Sequence, residues 1–251
     1  MFNIIKKFFH KRPTAHSLGY RIIPLGSYCL PRVISTLSML KPRKAAGEKT
    51  LPFDLGFFMN FDRILDTLDN EFKTFYDDIE WGWISNPLVT MDLKMLFDFN
   101  PNVKHWVSEK LGAVFNHEYM MTDKEEFKVR YDKRIENFYE YIKDNRYELY
   151  FLVASFSEIR QSQINRLKSI IDRYRSKNSY NIIIINQSSH KYKINEKNVY
   201  IIDEIDDTFD KMLRANNTNW VAALKRKENF SDAQKFYDDV SDNLKKIILK
   251  V

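Results

Sequence analysis

The stretch Tyr20-Arg-Ile-Ile-Pro-Leu-Gly-Ser-Tyr-Cys29 decides the fold, because it predicts a buried strand, Tyr20 to Leu25, that ends in a tight turn. Pro31 follows closely and suits the first turn of a helix, where a missing N–H costs nothing. Val33, Ile34 and Leu37 continue at helical spacing. The stretch therefore indicates strand, turn and helix, with a cysteine at the start of the helix.

The last third of the chain continues this rhythm of strands and helices. Apolar strands are predicted at Glu148 to Ala154, Tyr180 to Asn186 and Val199 to Asp203, and an amphipathic helix at Glu158 to Arg175. Apolar strands separated by helices are typical of a parallel sheet that is covered on both faces. We therefore expect a three-layer α/β fold with a mostly parallel sheet, formed by a single domain over residues 20–251.

A helical and irregular insertion is predicted within this domain, at about residues 60–145. Asn60 can cap one helix, and Thr122-x-x-Glu125 is a capping box that predicts the start of another. The stretch from Trp81 to Lys110 has no clear period and is predicted to be irregular. Val114 to Tyr119 is predicted to be a short strand.

Composition narrows the class of protein. The 251 residues include 19 Phe, 14 Tyr and 4 Trp, which excludes a disordered chain, and only 6 Gly and 7 Pro, which argues against a many-turned β-sandwich. The single cysteine fits a reducing compartment, so we expect a cytoplasmic protein. The net charge of +6 is spread along the chain without a basic-aromatic module, so no nucleic-acid partner is expected.

Residues 1–12 form a basic amphipathic segment, and residues 13–19 are predicted to be a linker. On a helical wheel the apolar side chains share one side and the lysines Lys6 and Lys7 lie on the other. Such a helix can lie on an anionic membrane surface, whereas no apolar run approaches the length of a membrane span. Surface attachment through residues 1–12 is one expectation, and a solvated terminus is the alternative.

Cys29 is the residue with the clearest chemical potential. A lone cysteine forms no internal disulfide, and the N-terminus of a helix favours the reactive thiolate. Reactive groups in open α/β sheets collect at the carboxyl ends of strands, which is where Cys29 falls. We expect a nucleophilic sulfur that is open to solvent, with a base beside it. The alternative is a small buried apolar group.

Five histidines could supply that base. His10 and His16 lie in the tail, His190 lies in a polar run, and His105 is predicted to be a partly buried structural residue beside a tryptophan. His117 stands in Phe-Asn-His-Glu-Tyr, where strand alternation would place it on an apolar face. It is therefore either the base or a satisfied core residue.

Two carboxylates lie in informative places. Asp54, between apolar residues, must be exposed or specifically partnered, and the simplest alternative is a turn that closes the loop after Pro52. Glu118 follows His117 and would point the other way on a strand. The histidine spacing and the single cysteine argue against a metal site. No P-loop or dinucleotide fingerprint occurs, so no cofactor is expected.

Three segments occur together in order: Leu25-Gly-Ser-Tyr-Cys29, Leu51-Pro-Phe-Asp54, and Phe115-Asn-His-Glu-Tyr119 with Arg130-Tyr-Asp-Lys-Arg134 after it. Together they resemble a family of bacterial and viral proteins described as papain-like cysteine peptidases. Order and rough spacing agree from about residue 20 to residue 155. The chain departs from the family pattern at Leu55, where a tryptophan is usual, and at Glu118, where an aspartate is usual.

The resemblance implies Cys29 as nucleophile and His117 as base, with Asp54 or Glu118 as the acid that orients the base. Family members often lie among genes for surface-glycan assembly, which implies a glycan or another acyl donor as substrate. The strand-turn-Cys-helix order is nevertheless closer to flavodoxin-type or lipase-like sheets than to the papain layout. We expect a thiol-dependent acyl-transfer enzyme, either hydrolase or acyltransferase.

Backbone N–H groups of Ser27, Tyr28 and Leu30 are the predicted donors to the oxyanion. Two other functions stay open. The chain could be a membrane-associated accessory or binding protein in which Cys29 only packs. It could also be a glycan-transferring enzyme that uses carboxylates in place of the thiol.

Overall fold

The computed structural model describes residues 14, 17–84, 102–118, 120–155, 157–175, 179–186, 194, 196–203 and 231–250. Within these ranges the helices are α1 (Leu30–Leu37), α2 (Phe61–Asp69), α3 (Lys124–Lys143), α4 (Gln161–Asp172) and α5 (Ser231–Leu249), with 3₁₀ helices at Lys44–Ala46 and Asn116–Glu118. The strands are β1 (Tyr20–Gly26), β2 (Phe57–Phe58), β3 (Glu80–Gly82), β4 (His105–Ser108), β5 (Ala113–Phe115), β6 (Glu148–Ala154), β7 (Tyr180–Ile185) and β8 (Val199–Ile202).

Four of these strands form a parallel sheet in the order β1-β6-β7-β8. The register of β1 on β6 runs from Tyr20 opposite Glu148 to Gly26 opposite Ala154, so both strands end at the same edge. The predicted α/β fold with a mostly parallel sheet is therefore confirmed. The turn before Cys29 lies at the carboxyl edge of this sheet.

The two faces of the parallel sheet bury separate cores. Ile23 and Phe151 face a core shared with α2, α3 and α4, where Phe138 is one of the buried side chains. Ile22, next to Ile23 in β1, faces the opposite core, which includes Ile34 of α1 together with residues of α5. Successive strand residues point to opposite faces, so helices cover the sheet on both sides in three layers.

A second sheet, which is antiparallel, lies between β1 and β6 in the sequence and has the strand order β2-β5-β4-β3. The prediction that Trp81 to Lys110 is irregular is therefore wrong where that stretch is described, because it includes part of β3 and all of β4. These strands are two to four residues long, too short to show a period. The predicted strand from Val114 to Tyr119 is also corrected: β5 ends at Phe115 and a 3₁₀ turn follows.

The helix starts show which capping signals operate. Asn60 caps α2 as predicted, because its side chain accepts a hydrogen bond from the N–H of Arg63. The predicted cap at Thr122 is wrong by one position, since Asp123 accepts from the N–H of Glu126 at the start of α3. Both residue types can cap a helix, and the aspartate is the one that precedes the first helical residue.

Several predictions lie outside the described residues. They concern the amphipathic segment 1–12 and the histidines His10, His16 and His190. In the part of the chain that the structure describes, no helix combines the length and the apolarity needed to cross a membrane.

Buried phenols make the fold sensitive to alkali. Burial raises the pKa of Tyr20 to about 12, and its hydroxyl donates to the carbonyl of Leu40. Burial also raises the pKa of Tyr131 and Tyr150 above the ordinary value. A pKa that is higher in the folded than in the unfolded state favours the folded state below pH ~10, and this contribution is lost as the pH rises towards the folded value.

We therefore expect cooperative unfolding at a pH above about 10. Far-ultraviolet circular dichroism and phenolate absorbance, followed on the same sample, should change together at that pH. Complete ionisation of the tyrosines near pH 10 with the circular dichroism unchanged would contradict the assignment of these phenols as buried.

Candidate active site

Cys29 occupies the junction between the parallel sheet and α1. It is the N-cap residue of α1, with φ −72° and ψ 0°, and its carbonyl accepts the first helical hydrogen bond from the N–H of Val33 at 2.9 Å. Its side chain makes no capping hydrogen bond. Pro31 stands in the first turn and therefore contributes no N–H there. The sulfur is thus at the positive end of the helix without serving as its cap.

The thiol is covered in this structure, since Cys29 is only 4% exposed. The expectation of a sulfur open to solvent is wrong for this conformation. Its two chain neighbours, Tyr28 and Leu30, are completely buried in the core beneath α1, and they draw the turn inward.

The antiparallel sheet is attached directly to this turn. The N–H of Phe58 in β2 donates to the carbonyl of Ser27 at 2.7 Å. Strand β2 also pairs antiparallel with β5, with Phe57 opposite Val114. In an antiparallel pair, residues before one strand lie alongside residues after the other. The segment that carries Asp54 and the turn that carries His117 therefore leave the same end of the β2–β5 pair.

Asp54 is fully buried and specifically partnered. Its Oδ2 accepts from the N–H of Leu51 at 3.0 Å, which closes the turn that the sequence indicated. Arg32 Nη1 lies 3.3 Å from the same oxygen, near enough for an ion pair but without hydrogen-bond geometry. The other oxygen, Oδ1, is buried and accepts a hydrogen bond from no described residue.

Arg32 is the residue that the sequence reasoning missed. It stands three positions after Cys29 in α1, and residues at that spacing share one face of a helix. That spacing was the available signal, and the partner carboxylate only becomes visible in the tertiary structure. Arg32 ties the Asp54 segment to the first turn of the cysteine helix.

His117 lies in the 3₁₀ helix after β5, and its side chain is exposed. The strand alternation that would have placed it on an apolar face does not apply, because the strand has already ended. The alternative that His117 is a satisfied core residue is wrong, because its side chain is exposed. Tyr119, the last residue of that predicted strand, lies outside the described residues.

Glu118 is held by two arginines of α3. Its Oε2 accepts from Arg130 Nη1 at 2.8 Å, and its Oε1 accepts from Arg134 Nη2. The guanidinium of Arg134 also lies 4.4 Å from the centre of the Tyr131 ring. Both carboxylate oxygens are therefore engaged, which fixes the turn next to His117 to the long helix.

The predicted oxyanion donors differ in whether their backbone N–H groups are already used in the fold. The N–H of Ser27 donates to the carbonyl of Ala154 at 2.9 Å, so it is committed to the parallel sheet. Leu30 is the first residue of α1, where a backbone N–H has no partner within the helix. The position of Leu30 is compatible with its predicted role, and the role of Tyr28 stays a prediction. The hydroxyl of Ser27 lies 3.4 Å from Ser155 Oγ.

Within the described ranges, no three side chains of His, Cys, Asp or Glu are grouped as ligands for a metal ion. His105 lies buried in β4, on the antiparallel sheet. It is more deeply buried than predicted, and its structural role stays a prediction.

No curated protein and no solved structure matches the chain. Residues 20–190 match a family model described as "Putative papain-like cysteine peptidase (DUF1796)". This match covers more than half of the chain, from the start of β1 to beyond the end of β7, and includes all three motif segments. The resemblance that those motifs indicated is confirmed, and the chain belongs to this papain-like cysteine peptidase family.

Proposed function

We propose that the protein is a cysteine-dependent hydrolase, and specifically a peptidase, whose nucleophile is Cys29. The observation that carries the proposal is the position of the thiol: at the N-terminus of α1, at the carboxyl edge of the parallel sheet, and unused as a cap. Electrostatic stabilisation of a thiolate at such a position is a general means of activating cysteine. Family membership supports the same assignment.

His117 is the proposed general base. The turn that carries His117 follows β5, and the segment that carries Asp54 precedes β2, at the same end of the β2–β5 pair. Strand β2 is in turn hydrogen-bonded to the turn before Cys29. Exposure of the imidazole lets it exchange protons with solvent between steps. Histidine is the side chain that most often serves as a general base in enzymes.

Asp54 is the better candidate for the acid that orients His117. Both oxygens of Glu118 already accept from arginines, whereas Asp54 keeps Oδ1 without a donor among the described residues. A buried carboxylate oxygen without a hydrogen bond is costly, and a donated imidazole N–H would satisfy it. Glu118 is then a structural residue that holds the His117 turn on α3.

The proposed reaction has two steps. His117 takes the thiol proton of Cys29, the sulfur bonds to the carbonyl carbon of the scissile amide, and the amine leaves with the proton from His117. Water, deprotonated by His117, then attacks the thioester carbonyl, and the thiol leaves with its proton restored. An oxyanion donor such as the N–H of Leu30 is typically worth about 3–4 kcal/mol. If an acceptor hydroxyl attacked the same thioester in place of water, the reaction would be an acyl transfer and the enzyme an acyltransferase.

Alkylation of the sole cysteine tests the Cys29–His117 pair. We expect iodoacetamide to label Cys29 fastest near neutral pH, below the usual thiol pKa of about 8.5. His117→Ala should slow this labelling by about a hundredfold or more, because the base that makes the thiolate is lost. His16→Gln, in the predicted linker, is the control and should label like the wild type. Equal rates for His117→Ala and wild type at every pH would count against the pairing.

A further inference from the structure

One face of the antiparallel sheet carries a groove of about 460 Å³, a volume within the usual range for ligand sites. We call it the acidic groove. Its apolar lining includes Ile84, Val107 and Val114, Trp83 forms a wall, and Glu80 and Glu109 contribute carboxylates. An apolar floor with a few charged groups at its rim is the usual composition of a ligand site.

The acidic groove lies next to the strand that is hydrogen-bonded to the turn before Cys29, since Met59 lines the groove and the N–H of its neighbour Phe58 donates to the carbonyl of Ser27. The strand register places Phe57, Val114, Val107 and Glu80 in one row across β2, β5, β4 and β3. Phe57 and Val114 pack in the same core as Tyr28. The row crosses three strand spacings, about 14 Å in all. An extended peptide covers that span with about four residues.

The two glutamates both line this groove. Glu80 is opposite Val107 at the start of β3, and Glu109 directly follows the end of β4. Both residues are exposed. Glu80 forms no ion pair within 4 Å with any of the described residues.

The local charge is opposite to that of the whole chain. The chain carries a net +6, but beside the two glutamates lie Asp77 and Asp78, and the nearby Lys110 is paired with Asp77. Asp78 accepts from Ser108 Oγ at the groove and from the backbone N–H of Lys110. A negative rim on a basic protein indicates a cationic ligand, because electrostatic complementarity selects the partner.

The wall of the groove accepts a cation as well. Trp83 is 56% exposed, and Lys104 Nζ of the same chain lies 5.9 Å from its ring centre. That distance is within the range of a cation–π interaction. Lys104 shows that an ammonium group is compatible with the indole ring at this wall. A ligand cation in the groove would lie near the same ring and near the carboxylates of Glu80 and Glu109.

We infer that the acidic groove binds a lysine or arginine side chain of a peptide substrate. This side chain lies a few residues along the peptide from the amide bond that Cys29 attacks. This inference rests on the proposed peptidase function, because it assigns the substrate specificity of that site. The aliphatic stem of the basic side chain would cover Val107 and Val114, while its charged end meets Glu80, Glu109 and Trp83.

Equilibrium binding tests the inference without requiring cleavage. The probes are three fluorophore-labelled heptapeptides, identical except for Lys, Gln or Glu at the centre, and the protein is the Cys29→Ala variant. We expect the Lys peptide to bind at least about tenfold more tightly than the Glu peptide. The double variant Glu80→Gln with Glu109→Gln should reduce this ratio to below about threefold. The matched control, Glu125→Gln with Glu136→Gln on α3, should keep it.

Equal affinities for the three peptides, no binding of any of them, or a lysine preference that survives in the double variant would overturn the inference. Cleavage of the same peptides by the unaltered chain reports separately on the proposed function. If the Lys peptide binds preferentially but is not cleaved, the groove's preference for a basic side chain is supported and the proposed peptidase function is contradicted. If cleavage depends on Cys29 but the peptides bind without a preference for charge, the peptidase function is supported and the groove assignment is contradicted.

Discussion

Cys29→Ser is expected to lower kcat/KM for peptide and ester substrates by a factor on the order of 10⁴ to 10⁶, which is the scale seen when a nucleophile is removed. Serine keeps the size of the side chain at this covered position, so the fold should not change. Its hydroxyl is a far weaker acid than a thiol, so it yields almost no anion near neutral pH. Initial rates should be measured with a quenched peptide and an activated ester.

Thr36→Ala, on the same helix, is the matched control and should retain activity. The thermal midpoints of both variants should lie within a few degrees of the wild type, which ensures that a loss of rate reflects chemistry. Activity that survives in Cys29→Ser but is lost in Asp54→Asn would point to an enzyme that uses carboxylates. Full biological function of Cys29→Ser together with no catalysis by the wild type would favour the accessory-protein hypothesis.

Glu118→Ala is expected to destabilise the fold by about 3–5 kcal/mol, because it leaves a buried arginine without its counter-ion. Arg134 has a side chain that is only 8% exposed, and its partner Glu118 is 1% exposed. The same change also breaks the hydrogen bond from Arg130. The free energy of unfolding should be measured in urea.

Glu126→Ala is the matched control. It removes the other partner of Arg130, an exposed carboxylate at 3.7 Å, and should cost less than about 1 kcal/mol. A cost below 1 kcal/mol for Glu118→Ala would contradict its assignment as the residue that holds the His117 turn. The double variant Glu118→Leu with Arg134→Met should recover part of the loss, because it leaves no unpaired buried charge.

The parallel sheet could be predicted because its strands are long, apolar and separated by helices. β6 was predicted with its observed ends, and β1 and β7 each differ from prediction by one residue. The antiparallel sheet could not be predicted, since strands of two to four residues show no hydrophobic period. The pairing of β2 with β5 depends on contacts between residues far apart in the sequence.

The same distinction applies to the candidate site. The motifs indicated Cys29, His117, Asp54 and Glu118, but they could not separate the roles of the two carboxylates. That separation depends on which arginines reach them: Arg130 and Arg134 from α3 engage both oxygens of Glu118, whereas Arg32 approaches only one oxygen of Asp54. The burial of Cys29 could not be predicted from the local sequence pattern either, because it results from the packing of α1 on the sheet.

The most direct test of the account is the capture of a covalent intermediate. The protein should be mixed with an activated aryl ester, quenched in acid within milliseconds, and examined by intact-mass and peptide-mapping mass spectrometry. We predict one acyl group per chain, on the peptide that contains Cys29, and none on Cys29→Ala. Turnover of the ester without any acyl group on Cys29, or with the acyl group on another residue, would contradict the account.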